Sequence, residues 1–143
     1  MSADGMIWSA EAALERAVLH ALREDSRVQA HLGMPARIYD DETSEPIFPY
    51  AELERHVVED RGAALKAGQA HTLTFSVRSR DGGRAAAKEV LGALRAASEA
   101  MGVTLADQRI VLVQPVYCDV MRAPDLRSFR GVLRLRIITE EAA

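Results

Sequence analysis

The chain has 143 residues, carries 18 Lys and Arg against 21 Asp and Glu, and is 48 % hydrophobic. This length suits one domain, so we expect residues 1–143 to fold as a single unit and exclude a second globular domain. The sequence has no run of 18 apolar residues and no basic region before an apolar stretch at its start. We therefore expect neither a membrane span nor a secretory signal, and a chain that is made in a cytosol.

Residues that carry chemistry are few. Cys118 is the only cysteine, so an internal disulfide and a cysteine-based zinc finger are excluded. The four histidines have no i, i+4 pair for a metal, and neither a glycine-rich phosphate loop nor a nucleophile elbow occurs. Aromatic residues make up only 5 %, which disfavours stacking on bases. The sequence predicts no cofactor, no metal and no catalytic residue.

The start of the chain predicts helical structure. Apolar residues recur at helical spacing after Ser9, a suitable N-cap, so we expect a helix over about Ala10–Glu24. Asp25 can cap a further short turn, which ends at Gly33 because glycine accepts a left-handed backbone.

Strands follow, separated by loops. Residues 37–39 can form a short strand, and the acidic stretch 40–46 predicts a loop that lacks calcium-site spacing. From residue 50 the pattern places Ala51, Leu53 and Val57 on one side and Glu52, Glu54 and His56 on the other, with Arg55 interrupting the apolar side. After a second loop at 60–70, the clearest strand alternates Leu73, Phe75 and Val77 inward with Thr72, Thr74, Ser76 and Arg78 outward. We expect both loops to be mobile in the free subunit.

In the second half of the chain, a helix is again followed by strands. After a turn at 81–83, a helix places Ala87, Val90, Leu91, Leu94, Ala97 and Met101 on one stripe. Gly92 inside this helix costs about 1 kcal/mol relative to Ala, which a close approach to the sheet would explain. Residues 110–113 are apolar on both sides, which predicts a strand buried by its own helices and by another subunit. The last strand alternates Leu133, Leu135 and Ile137 with Arg134 and Arg136, and Cys118 is interpreted as a small buried strand residue.

These elements predict an α+β fold in the order α-β-β-α-β-β. We expect an antiparallel sheet of about four strands with two helices packed on one face. Residues 1–8 and 140–143 are expected to be flexible ends.

Charge is divided unevenly along the chain. Residues 40–60 carry eight acids and one base, whereas residues 109–136 carry six arginines and two acids. Three interpretations stay open: two solvated faces, an acidic surface of one copy meeting a basic surface of the next, or a non-specific contact with a nucleic-acid backbone. The candidate interface residues are Asp40, Asp41, Glu42, Arg78, Arg80, Arg130, Arg134 and Arg136.

Several short strings, taken in order, resemble a known family. They are LHAL at 19–22, RIYD at 37–40, FPY at 48–50, HTLTFSV at 71–77, GRAA at 83–86 and RGVLRLR at 130–136. Together they span nearly the whole chain and are similar to the tail-completion or tail-terminator family of long-tailed phages and gene transfer agents.

The resemblance implies a structural virion protein rather than an enzyme. In such a role the subunit forms a hexameric ring at the head-proximal end of the tail, having been assembled in the bacterial cytoplasm. The ring caps the tube of tail tube protein, stops its polymerisation and contacts the head-tail connector, and DNA passes its lumen with non-specific contacts at most. The alternatives are a small cytoplasmic enzyme or ligand-binding domain that uses His56, His71 or Cys118, and a monomeric regulatory module.

Overall fold

The computed structural model describes residues 9–40, 45–61 and 67–142. Within these ranges the chain forms three helices and a five-stranded sheet, which confirms the α+β class. The elements are α1 (Ala10–Glu24), α2 (Ser26–Leu32), β1 (Ile38–Tyr39), β2 (Tyr50–Asp60), β3 (Gly68–Ser79), α3 (Gly83–Ala100), β4 (Gln108–Arg122) and β5 (Phe129–Glu141).

The sheet is mixed, and its strand order is β1-β2-β3-β5-β4. β1 runs parallel to β2, and every other pair is antiparallel. The prediction of four antiparallel strands is therefore wrong in one respect, because the short segment after α2 joins the edge of the sheet. Ile38 is 2 % exposed and belongs to the hydrophobic core, so burial of its side chain stabilises this two-residue strand.

The helices begin where their capping residues predict. The N–H of Ala12 donates to Ser9 Oγ at 3.1 Å, which caps α1. Asp25 Oδ1 accepts the N–H groups of Arg27 at 2.8 Å and Val28 at 3.2 Å, so the expected short turn is a capped helix and the predicted count of two helices is too low. In the described ranges, no helix is long and apolar enough to cross a membrane.

The core lies between the helices and one face of the sheet. α3 contacts β3, β5 and β4, and α1 and α2 pack against α3. Three completely buried residues at its centre are Leu14, Phe75 and Leu135. The sheet therefore has a core face under the helices and an outer face that no helix in the described residues covers.

A side chain of α3 packs tightly on the sheet at Gly131, whereas the expected close packing at Gly92 is wrong. A Cβ on Gly131 would lie 2.8 Å from Leu91 Cδ1, whereas a Cβ on Gly92 would meet nothing within 4 Å. A glycine is therefore needed at position 131 of β5, because the buried Leu91 side chain occupies the space that a Cβ would take.

A bulge in β2 exchanges the residues that face the core and the outer face in the second half of this strand. The pairing with β3 shifts between Leu53 and Arg55. Leu53 faces the core, whereas the register after the bulge turns Arg55 to the outer face and His56 to the core. The predicted sides of His56 and Val57 are therefore wrong, and the arginine that interrupted the apolar pattern marks the bulge.

Two segments expected to be loop or chain end are strand. β2 continues to Asp60 and β3 starts at Gly68, so the predicted second loop is shorter than 60–70. β5 continues to Glu141, and the N–H of Ala142 donates to the Asp107 carbonyl at 3.1 Å, so residues 140–142 of the end expected to be flexible are hydrogen-bonded to the fold. Residues 1–8, 41–44, 62–66 and 143 lie outside the described residues, and they include four positions of the loop expected at 40–46 and five of the loop expected at 60–70.

Candidate interface surfaces

Four of the predicted basic residues lie together on the outer face. Arg130, Arg134 and Arg136 project from β5, and Arg78 on β3 pairs directly opposite Arg130. Like charges in opposed positions repel each other. Arg130 relieves this repulsion by donating to Glu54 Oε1 at 2.5 Å. The structure thus places Arg78 beside a partly neutralised Arg130, with Arg134 and Arg136 further along the same strand.

Two of these arginines, Arg130 and Arg134, border a shallow cavity of about 490 Å³ on the outer face. The residues that line it include Thr72, Thr74, Arg55 and Arg134, together with the ion pair of Arg130 and Glu54. Thr74 is only 9 % exposed although no described helix covers it, since long arginine side chains lie over this part of the sheet. Guanidinium groups and hydroxyls together suit carboxylate or phosphate oxygens.

The remaining predicted residues lie elsewhere. Asp40 follows β1 and is exposed at the sheet edge opposite β4. Asp41 and Glu42 lie outside the described residues. Arg80 follows β3, with its guanidinium carbon 4.2 Å from the ring centre of Phe48. The acidic position and the outer-face arginines therefore do not meet within one subunit.

β4 is an edge strand of 15 residues that exposes a row of apolar side chains. Val111, Val116 and Met121 are 53 %, 48 % and 53 % exposed. Of the predicted doubly buried stretch, Ile110 and Val113 pack against the core, whereas its other residues face solvent. The backbone groups on the outer side of an edge strand are free to pair with another chain.

The second half of this row was not predicted from the sequence. Val116, Tyr117 and Met121 are exposed and apolar, but bulges at 110–112 and 115–117 break the alternation that would reveal them. Their signal is the high share of apolar residues along the whole strand. Arg134 stacks on the Tyr117 ring with 4.7 Å between guanidinium carbon and ring centre, and the Tyr117 hydroxyl donates to Asp119.

His56 and His71, proposed for an enzyme site, do come together. His56 Nε2 lies 2.8 Å from His71 Nδ1, and His71 Nε2 lies 3.3 Å from Thr139 Oγ1. On the other side, Glu15 Oε1 is 3.4 Å from His56 Nδ1. The chain of contacts ties α1 to the sheet through three strands.

This histidine pair has the properties of a structural contact. Burial, followed by the neighbouring His56, lowers the pKa of His71 from 6.5 to about 4. His71 is 0 % and Thr139 is 2 % exposed, so a substrate has no access to either side chain. The arrangement orders donors and acceptors inside the fold rather than presenting them at a surface.

Cys118 does not join the histidines. It lies on β4, which β5 and β3 separate from β2, and it is exposed rather than buried as expected. Its side chain borders a cavity of about 280 Å³ beside Gly92 and Arg95. Although the residue is exposed, partial desolvation of its sulfur raises the pKa of the Cys118 thiol, which lowers the fraction of reactive thiolate.

Comparisons with known proteins agree with the resemblance. Residues 16–140 match the family model described as "Tail completion protein gp17". A chain in the solved structure "Virion of native gene transfer agent (GTA) particle" is similar at 26 % sequence identity and a TM-score of 0.82, with 94 % of this chain and 99 % of that chain covered. A search of the curated proteins found no match. The family model covers most of the chain, which therefore belongs to the tail completion protein gp17 family of structural phage-tail proteins.

Proposed function

We propose that this chain is a tail terminator that forms a ring of six copies on the finished tail tube. The ring stops polymerisation of the tube and connects it to the head-side connector. The observation that carries the proposal is the free edge of β4 with its exposed apolar side chains. A long edge strand of this kind invites aggregation unless another chain covers it.

The two edges of the sheet differ, and this difference favours ring closure. Among the described residues β4 has no strand on its outer side, whereas β1 covers only the Ala51 and Glu52 positions of β2. Contact between the β4 edge of one copy and the β1–β2 edge of the next uses two different surfaces. Such a heterologous contact repeats by rotation and closes a ring when the angle permits.

Charge supports the same contact. Asp40 lies at the β1 edge, next in sequence to Asp41 and Glu42, and the outer-face arginines lie towards the other edge. We propose that this acidic segment of one copy meets Arg78, Arg80, Arg130, Arg134 and Arg136 of its neighbour. DNA contacts within the lumen are non-specific.

A terminator needs two unlike axial faces. A tube grows by adding identical rings, so its end remains a growing surface until a ring with a matching lower face and a non-matching upper face occupies it. One small domain in a closed ring can provide both faces, because different residues lie at the two ends of its strands. The β4–β5 hairpin lies at one end, and Gln108 and Glu141 lie at the other.

The first experiment is deletion of this protein in a producing cell, followed by a length histogram of tails from electron micrographs. We expect heads and tubes that are made but not joined, with tubes of uncontrolled length, and normal particles on complementation. Tails of normal length attached to filled heads would refute the assignment. Tails of normal length that are unattached would indicate joining without length control.

A second experiment tests the β4 contact with purified protein. Val116→Lys places a charge on the free edge, and Ala30→Lys places the same charge at an exposed residue of α2, which packs on α3 and belongs to neither edge of the sheet. By light scattering with tube protein added, we expect rings from the Ala30 variant and monomers from the Val116 variant. Rings from both variants would contradict the role of β4.

A further inference from the structure

The hairpin between β4 and β5 displays an apolar side chain at its tip. Leu126 is 69 % exposed and has a φ of 62°. A left-handed backbone is uncommon for a residue other than glycine, because its Cβ crowds the following carbonyl oxygen. Exposure leaves the Leu126 side chain without packing that could offset this strain inside the described fold. Backbone strain of this kind is frequent at binding sites.

Hydrogen bonds within the hairpin fix this conformation. Asp125 Oδ1 accepts the N–H groups of Arg127 at 2.9 Å and Ser128 at 3.0 Å. The N–H of Leu126 donates to the Ala123 carbonyl at 2.9 Å. The tip is therefore ordered before any partner binds, which reduces the entropy that binding must remove.

Arginines surround the tip. Arg84 at the start of α3 and Arg122 at the end of β4 both lie over the Phe129 ring, at 5.4 Å and 5.1 Å from its centre. Arg122 also donates to the Leu126 carbonyl at 3.3 Å, and Arg127 follows on the exposed side. These three guanidiniums give the tip a cationic rim.

Little at this end neutralises that charge. α3 begins here with Gly82 as its N-cap, and neither a side-chain cap nor an acidic residue stands in its first turn, so the positive end of the helix dipole adds to the rim. The Asp125 carboxylate is engaged by the hairpin, whose backbone N–H groups hold its pKa below the usual range. The exposed Asp81 is the other acid of this turn region.

We propose that the hairpin is a docking knob, in which Leu126 inserts into an apolar pocket with a carboxylate rim on another protein. The inference rests on the proposed function and places this protein partner against one axial face of the ring. A protein fits better than DNA, since a phosphate backbone would bind the arginines and leave Leu126 in water. Apolar anchors encircled by polar contacts are typical centres of protein interfaces.

Leu126→Gly tests the knob without damaging the fold. Glycine adopts the left-handed backbone freely, so the variant loses the side chain and relieves strain at once. Met34→Ala is the matched control, because Met34 is an apolar residue, 79 % exposed, on the segment between α2 and β1 rather than on the hairpin. Each protein is sedimented separately with purified tail tubes and with tail-less heads that carry the connector, and is titrated with random-sequence DNA.

We expect Leu126→Gly to form rings, to lose about 10-fold or more in affinity for one of the two assemblies and to keep the other. Arg127→Glu should weaken the same binding more at low salt than at high salt. Unchanged binding to both assemblies, loss of ring formation or loss of DNA binding alone would overturn the proposal. Wild-type protein that forms no ring and binds neither assembly would instead overturn the proposed function on which the inference rests.

Discussion

Two glycines near α3 allow a matched test of how the helix packs on the sheet. Gly131→Ala would place a Cβ 2.8 Å from Leu91 Cδ1, 3.1 Å from Cγ and 3.4 Å from Cδ2. Gly92→Ala would place the same atom where nothing lies within 4 Å. The two substitutions add the same methyl group, so their different effects report on the space and the secondary structure at each position.

The expected changes have opposite signs. Three carbons of the Leu91 side chain surround the added methyl at position 131, and Leu91 is 3 % exposed, so no single methyl rotation clears the overlap. Overpacking of a filled core costs about 1–3 kcal/mol, more than the few tenths to 1 kcal/mol that replacing a strand glycine contributes. At position 92, alanine improves helix propensity by about 1 kcal/mol.

The assay is urea unfolding of each variant and the wild type at one pH and one protein concentration. We expect a lower midpoint for Gly131→Ala, a higher midpoint for Gly92→Ala and similar slopes. Equal midpoints for Gly131→Ala and wild type would refute the close packing of α3 on β5. A lower midpoint for Gly92→Ala would contradict the conclusion that a methyl group at position 92 meets open space.

Three further predictions concern pH, helix capping and charge. The pKa of His71 falls from 6.5 to about 4 on folding, because the buried ring disfavours the charged form. The free energy of unfolding is therefore unaffected by this group above pH 6.5 and decreases by about 3 kcal/mol as pH falls towards 4. His71→Gln should flatten the dependence of the urea midpoint on pH over this window, and parallel profiles would contradict the assignment. Asp25→Ala should lower stability by about 1 kcal/mol through loss of the α2 cap, whereas Asp25→Asn, which keeps an acceptor, should cost less. Arg134→Glu with Arg136→Glu should weaken ring assembly more at low salt than at high salt, as light scattering measures, and wild-type assembly at every salt concentration would exclude these arginines from the contact.

Much of the core could be predicted because it depends on local patterns. The spacing of apolar residues after Ser9 and the glycine at 33 set the helix boundaries, and the alternation in β3 set its two sides. These signals act within a few residues, where backbone preference and capping hydrogen bonds decide the conformation. The family resemblance likewise depended on short strings kept in order.

The interface surfaces depended on tertiary structure. Bulges in β2 and β4 change which side chains share a face, and they arise from pairing with strands distant in sequence. Cys118 is exposed because β4 lies at the sheet edge, a position that the strand's own sequence does not reveal. The sequence by itself determined the α+β class and most of the elements, since local periodicity encodes them. Only the tertiary structure decided the strand order, the burial of the His56–His71 pair and the display of Leu126, because these depend on which elements the folded chain brings into contact.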